Sequence, residues 1–383
     1  MKFIHISDLH IGKKAYEKSL IDEQVHILNR ICDIVSEQQP DAVLIAGDVY
    51  DKAVPSGEAV LLFDEFLTGL SSLCGHIFII SGNHDSAERM AFGSRLMDSK
   101  GIHLSPVYKG STEAVTLSDE YGYVDIHMLP YIRPAHVRNY LPDEEKNDVS
   151  SYDSAIRKAV GKMDIRPERR NVLVTHQFVT GAVRSESEDV NVGGLDNVDA
   201  SAFDDFDYVA LGHLHRPQDC GDERIRYSGS PLKYSFSEVN DNKTVTAITL
   251  KEKGVIEREF LPLVPLHDWH DIRGTYEEIT SRSYYADTTW TEDFVRITLT
   301  DEQDIPDAVG KLRSIYRNLL EMRYDNTRTR TGAVAIEGSS RTEEKTPMEL
   351  FNELYTRQNG DGISQLQEKY LKEVIEKIWE GEK

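Results

Sequence analysis

No stretch of this sequence approaches the roughly 18 consecutive apolar residues that a membrane-spanning helix requires, and 39% apolar against 29% charged residues is the balance of a globular chain. The opening Met-Lys-Phe-Ile-His-Ile-Ser has no hydrophobic run ending at a small-residue cleavage site, so the expected location is cytoplasmic. Cysteine is scarce. Cys32, Cys74 and Cys220 are odd in number, widely spaced and in no Cys-x-x-Cys pair, which excludes a disulfide framework or a closed zinc site and fits reduced thiols. Cys32 and Cys74 stand in apolar surroundings and are expected in the core. Positive charge is also in short supply, with 44 Lys and Arg against 66 Asp and Glu and a formal charge of −22. That balance excludes the simplest kind of nucleic-acid binder, whose affinity comes from neutralising phosphates. Contact with DNA would need bound cations, a local basic patch or a partner. Internal repeats and low-complexity tracts are absent as well.

At 383 residues the chain exceeds the usual size of one hydrophobic core. Residues 1–265 alternate short apolar runs with helical patterns, which predicts a layered α/β domain. Five runs have strand length: Phe3 to Ser7, Ala42 to Ala46, Ile77 to Ser81, Val172 to Thr175 and Tyr208 to Leu211. Helices are expected over Leu20 to Val35, with Val25, Leu28, Ile31, Cys32 and Val35 as the stripe, over Gly57 to Leu73 and over Ala87 to Met97. Core packing is the favoured role for Val60, Leu61, Phe66, Leu70, Met90, Leu96 and Met97, with an interface the alternative. Strands over Thr244 to Lys251 and Val255 to Leu261 are consistent with a second sheet. Prolines at 262 and 265 mark a boundary before a small α+β domain, 266–325, with a strand at Phe294 to Leu299 and a helix from Pro306 to Leu320. Residues 326–345 read as a polar linker and 346–383 as a helical tail. In that tail Met348, Leu350, Phe351, Leu354 and Tyr355 form one amphipathic segment, and Leu371, Val374, Ile375, Ile378 and Trp379 form a single apolar stripe. Such a stripe docks either on the protein's own body or on a partner.

Each of the five strand-like runs ends in residues suited to metal binding. Asp8-Leu9-His10 follows the first, and side chains two apart in extended chain project to the same side. Gly47-Asp48-Val49-Tyr50-Asp51 follows the second and Ser81-Gly82-Asn83-His84-Asp85 the third, the glycines allowing tight turns and close approach. His176 ends the fourth, and Gly212-His213-Leu214-His215 ends the fifth. Any one of these arises by chance, but in an open α/β sheet strand ends converge on one crevice, so five together point to a shared site. Carboxylates, an Asn carbonyl and imidazoles without Cys suit Mn²⁺, Fe or Zn²⁺ in a reactive site. A bridging carboxylate and two cations would serve a phosphoryl displacement. His84 is not needed as a ligand, which frees it to protonate a leaving oxygen, and Asp51 is the expected group to orient it through a carboxylate–imidazole hydrogen bond. Asp51 could instead be a loop cap. The other eight histidines are expected to be packed or solvated, including His267 and His270 despite their ligand-like spacing.

The ordered set Asp8-x-His10, Gly47-Asp48-x-x-Asp51, Gly82-Asn83-His84-Asp85, His176 and Gly212-His-x-His215 resembles the calcineurin-like metallophosphoesterase superfamily. The opening Phe-Ile-His-Ile-Ser-Asp-Leu-His-Ile-Gly and the Ala-Gly-Asp-Val-Tyr-Asp-Lys-Ala-Val-Pro-Ser block are similar to its DNA nuclease members. The resemblance implies an α/β (α+β) fold: a two-sheet β-sandwich flanked by helices, with a small capping domain and a helical tail. It implies Mn²⁺ on Asp8, His10, Asp48 and His215, and a second Mn²⁺ on Asp48, Asn83, His176 and His213. His84 matches the family's catalytic histidine, whereas the position of Asp51 is a histidine in archaeal and eukaryotic relatives. Implied partners are DNA, a coiled-coil ATPase that binds the tail, and a second copy of the chain, paired through Gly57–Leu73 and Ala87–Met97, within a heterotetramer. The sequence holds no Gly-x-x-x-x-Gly-Lys-Ser/Thr of its own, so ATP dependence would come from the partner.

The reading that follows is a Mn²⁺-dependent DNA exonuclease and endonuclease subunit. Its rivals are a phosphodiesterase or phosphatase for small substrates, which has no need of the appended domain and tail, and a scaffold that docks an ATPase, which has no reason to keep Asp48, Asn83 and His84 together.

Overall fold

The computed structural model describes residues 1–186, 188, 197–327, 329, 348–349, 351–352, 355–356, 363–364, 366–372 and 374. Of the expected linker, all but 326, 327 and 329 lies outside the described residues, as do Leu350, Leu354, Ile375, Ile378 and Trp379 of the tail.

Two six-stranded sheets face one another. The first runs Ile256–Pro262, Thr244–Leu250, Lys2–Ile6, Ala42–Ala46, His76–Ile80, Ile102–Ser105; its last four strands are parallel and its first two antiparallel additions. The second runs Gln218–Cys220, Asp222–Tyr227, Tyr208–Gly212, Arg170–His176, Gly122–Leu129, Val115–Asp119, parallel at its centre and antiparallel at both edges. Strand alternation builds the layers. Ala42, Leu44 and Ala46 join Phe3 and Phe78 against Val172, Val174, Tyr208 and Ala210 of the opposite sheet. Val43 and Ile45 point the other way, into a layer closed by Ile27, Leu28 and Ile31 of helix Ile21–Gln38 and by Leu62, Phe66 and Leu70 of helix Gly57–Leu73. Leu173, Val209 and Leu211 face the outer helix Tyr152–Val160 through Ile156 and Ala159. Each such buried aliphatic side chain contributes about 1.5–3 kcal/mol.

Several expectations change here. Thr244–Leu250 returns to pair with Lys2–Ile6 in the first sheet instead of opening a second one. In helix Ile21–Gln38 the buried stripe is Ile27, Leu28, Ile31, Ile34 and Val35, while Val25 is exposed. Phe66, Leu70 and Met90 are buried as the core reading requires, but Val60, Leu61 and Leu96 are exposed. The span Ala87 to Met97 is two short helices, Ala87–Met90 and Ser94–Asp98, separated where Gly93 takes φ 75°.

Beyond the sandwich, Trp269–Gly274, Phe294–Leu299 and Asn318–Tyr324 form a parallel three-stranded sheet with its own core of Ile272, Ile279, Val295, Ile297, Leu312 and Tyr316. The expected helix to Leu320 ends at Arg313, because Asn318–Tyr324 is taken up by pairing with Phe294–Leu299. Trp269 and Phe294 pack into the body's core, and the Glu23 carboxylate meets His267 Nδ1 at 2.5 Å, so this sheet is seated on helix Ile21–Gln38. His270 pairs with Asp293 at 2.9 Å, which occupies the second imidazole of that sequence triplet.

Candidate metal centre

The parallel strands Lys2–Ile6, Ala42–Ala46, His76–Ile80, Arg170–His176 and Tyr208–Gly212 all deliver their carboxyl ends to one edge of the sandwich. His176 is level with Gly212 in the register, so the last two motifs leave their strands side by side. Loop backbones then lock across the two sheets: Asp8 N–H donates to Gly47 O at 3.1 Å, His10 N–H to Asp48 O at 3.0 Å, and Tyr131 N–H to Ser81 O at 2.9 Å. Gly82 lies so close to Asp48 that a Cβ there would overlap the carboxylate and its main chain, so only glycine fits.

Asp8, His10, Asp48 and His213 adopt φ of 53°, 44°, 47° and 106°. Left-handed backbone costs a non-glycine residue about 1–3 kcal/mol and concentrates at functional sites, and here it aims four polar side chains inward. The surrounding hydrogen bonds hold them there. Asp8 accepts from Ser7 Oγ at 2.5 Å and from His213 N–H at 3.0 Å. Asp85 accepts from the amides of Val49, Tyr50 and Gly82, tying the second and third loops together, and burial and nearby Asp48 raise its carboxyl to about 6.

All seven residues expected as ligands, and His84, come together. His10 and His215 face each other Nε2 to Nε2 at 3.1 Å, with Asp8 beside them. Asn83 Oδ1 lies 3.0 Å from both His176 Nε2 and His213 Nδ1. Between the groups stands Asp48 Oδ2, 3.2 Å from His176 Nε2, 3.7 Å from His10 Nε2 and 4.0 Å from His84 Nε2. His176 Nδ1 donates to the Ala46 carbonyl at 2.8 Å, which turns its Nε2 to the centre. Asp51 differs from expectation in its connection. His84 Nδ1 meets the Asp51 main-chain carbonyl at 3.1 Å, whereas the Asp51 carboxylate pairs with Lys13 Nζ at 2.8 Å and stands 3.7 Å from His10 Nδ1.

The electrostatics ask for a cation. Burial drives the His10 and His213 imidazoles well below their ordinary range and raises Asp8, which lies in the field of Asp48. Burial also opposes the charge of Asp48, but His176, His84 and His10 overcome it and hold that carboxyl well below the usual range. For His176 the carboxylate likewise outweighs burial and lifts the imidazole to about 9. Two buried carboxylates thus recruit positive charge, which a proton or a divalent cation can supply. Three groups of His and Asp donors, Asp8-His10-His215, His10-Asp48-His84 and Asp8-Asp48-His176, have ligand atoms within 4.8 Å of one another. Nitrogen and oxygen donors without thiolate fit a divalent transition metal.

Sequence reasoning missed the support behind His215. Glu238 is fully buried, 3.6 Å from His215 Nδ1, and bonds Lys243 Nζ at 2.6 Å, while that ammonium also reaches the His215 carbonyl at 2.8 Å. Burial opposes its charge, but Lys243 and His215 hold the Glu238 carboxyl well below its ordinary range. Glu188 accepts the His215 amide at 2.6 Å. Tyr234 places its ring edge-on 5.7 Å from both His10 and His215, and its hydroxyl donates to Leu9 O at 2.6 Å. Neither glutamate follows a strand or carries a spacing that distinguishes it from a surface carboxylate.

Comparison with known proteins gives three findings. Residues 1–217 match the family model described as calcineurin-like phosphoesterase, and residues 262–359 match one described as type 5 capsule protein repressor C-terminal domain. Over 389 aligned residues, covering 100% of both chains, the sequence is 31% identical to SbcD of the nuclease SbcCD from Staphylococcus epidermidis. A solved dimetal phosphatase from Danio rerio covers 69% of this chain and 99% of its own at 12% identity and a TM-score of 0.39, a likeness too slight to carry an argument.

Proposed function

This chain belongs to the calcineurin-like phosphoesterases and, over its whole length, to their SbcD relatives, and from that premise we propose that it is the Mn²⁺-dependent nuclease subunit of an SbcCD-like DNA end-processing complex. The observation that carries the proposal is Asp48 Oδ2, set between the Asp8-His10-His215 group and the Asn83-His176-His213 group.

In this reading Asp8, His10, Asp48 and His215 hold one divalent cation, and Asp48, Asn83, His176 and His213 hold the other. Two such cations supply charge stabilisation for the phosphoryl oxygens and make water acidic enough to act near neutral pH. The chain's own residues do the rest. Because a carbonyl can only accept, His84 Nδ1 carries its proton toward Asp51 and leaves Nε2 as the atom that exchanges a proton at the centre. That ring is 18% exposed, so it can recover a proton from water after passing one to the departing sugar oxygen. Asp51 positions His84 through its main chain and His10 through its carboxylate. Glu238 and Lys243 keep His215 turned inward.

Double-strand exonuclease and single-strand or hairpin endonuclease activity, with roles in recombination, replication and repair, belong to the same proposal. The partner is an SbcC-like coiled-coil ATPase that receives the tail, of which Met348, Phe351, Tyr355, Leu371 and Val374 are among the described residues. The domain roles are a nuclease domain, 1–265, a capping domain, 266–325, a linker, 326–345, and a docking tail, 346–383. Exposed Leu61, Phe92 and Leu96, at 65%, 87% and 79%, support a second copy of the chain across that face within a heterotetramer. No helix among the described residues is long and apolar enough to cross a membrane, and the proposed location is the cytoplasm, at the nucleoid when DNA is bound.

The test is cleavage of end-labelled duplex DNA by the purified chain with and without Mn²⁺, beside His84→Ala. Metal-dependent cleavage that is lost in the variant while metal binding persists supports the proposal. Hydrolysis of small esters with DNA left intact would replace it with a small-substrate phosphodiesterase.

A further inference from the structure

His213 is flanked by two aromatic rings, and an arginine lies over each. Tyr131 stacks beside it at 6.5 Å and 21°, and Phe178 meets it edge-on at 6.5 Å and 66°. The Arg184 guanidinium lies 3.6 Å from the Phe178 ring centre, and that of Arg133 lies 5.9 Å from the Tyr131 ring centre. The rings are anchored: Tyr131 N–H donates to Ser81 O at 2.9 Å, two residues before Asn83, its hydroxyl is 3.2 Å from that of Tyr152, and Phe178 follows His176 by two. All four side chains are part-exposed. Because each guanidinium is spread on a ring, its planar fork is oriented before a ligand arrives and less rotamer entropy is lost on binding. In a chain of charge −22, two such forks one ring away from a metal-type imidazole form a local reversal of sign.

We propose that Arg184 on Phe178 and Arg133 on Tyr131 form a strand clamp on the His213 side of the centre, taking the backbone phosphates that flank the scissile one in a single strand of DNA. This deepens the function proposed above and rests on it. A lone phosphate ester has no flanking phosphates for the clamp, so the clamp would select polynucleotide over small diester.

The test is fluorescence anisotropy of a labelled single-stranded oligonucleotide with the full-length chain, with calcium replacing a catalytic metal, over a salt series. Arg184→Ala and Arg133→Ala are each expected to weaken binding about tenfold and to reduce the slope of log K against log salt by about one. Arg184→Lys, which keeps charge but not the fork, should fall between wild type and Arg184→Ala. Melting temperatures of the variants separate this from misfolding, and Arg184→Gln is the substitute should Arg184→Ala fold poorly. Affinities and slopes within twofold of wild type, weakening with an unchanged slope, or a wild-type chain that does not bind the strand would each overturn the clamp. Hydrolysis of bis(p-nitrophenyl) phosphate by the wild-type chain with Mn²⁺ is scored separately: its absence counts against the phosphoesterase reading, while strand affinity alone decides the clamp.

Discussion

The Nδ1 of His84 is hydrogen-bonded to the main-chain carbonyl of Asp51 at 3.1 Å, while the Asp51 carboxylate turns to Lys13 at 2.8 Å. The two residues are therefore linked through the backbone, and their substitutions should separate. His84→Ala is expected to lower kcat for diester hydrolysis by about 10²–10⁴ with metal binding kept. Asp51→Ala retains the carbonyl, so its kcat should fall less than about tenfold, with metal affinity weakened about tenfold through His10. Steady-state kinetics beside calorimetric metal titration checks both, and equal losses of kcat would refute the backbone link.

Glu238 is buried against His215 and Lys243, so Glu238→Gln removes a carboxylate that serves two groups. Metal affinity should drop about 10–100-fold. Stability should drop by about 3 kcal/mol, since Lys243 is left buried without its counter-charge. Urea unfolding and a Mn²⁺ titration measure the two effects; an unchanged titration would remove Glu238 from the support of the centre.

Asp119 closes the far edge of the sandwich. Burial opposes its charge, but hydrogen bonds from Arg170, the Met1 ammonium and the Tyr121 amide outweigh this and hold its carboxyl well below the ordinary range. A depressed carboxyl contributes stability that is full above its unfolded value, about 4, and is lost as pH falls through the folded value. The stability gap between wild type and Asp119→Asn should accordingly be widest above about pH 5 and narrow below about pH 4. Urea midpoints across that window would contradict this by keeping a constant gap.

Leu61 and Leu96 are exposed on the face assigned to a second copy of the chain. Leu61→Glu combined with Leu96→Glu should shift sedimentation from dimer to monomer with the melting temperature little changed. A wild-type chain that sediments as a monomer at micromolar concentration would argue against that face.

The site was legible where chemistry and strand periodicity coincide. Asp8, Asp48, Asn83, His176 and His213 each follow a hydrophobic run directly, so parallel pairing alone gathers them. Glu188 and Glu238 reach His215 from loops, and no local pattern separates them from exposed carboxylates. Helix faces were less legible for a different reason. In Gly57–Leu73 the run Val60-Leu61-Leu62-Phe63 is apolar all round, and only packing decides that Leu62 and Phe63 turn inward. Between Pro306 and Leu320 the spacing of Leu312, Tyr316 and Leu319 suits a helix, but the pairing of Asn318–Tyr324 with Phe294–Leu299 prevails, and Tyr316 spends its hydroxyl on Ile279 O at 2.8 Å.

The most direct measurement is anomalous diffraction at the manganese edge from crystals of the chain soaked in Mn²⁺. Two peaks about 3.5–4 Å apart with Asp48 between them are expected. A single peak, or peaks away from Asp48, would contradict the two-metal account.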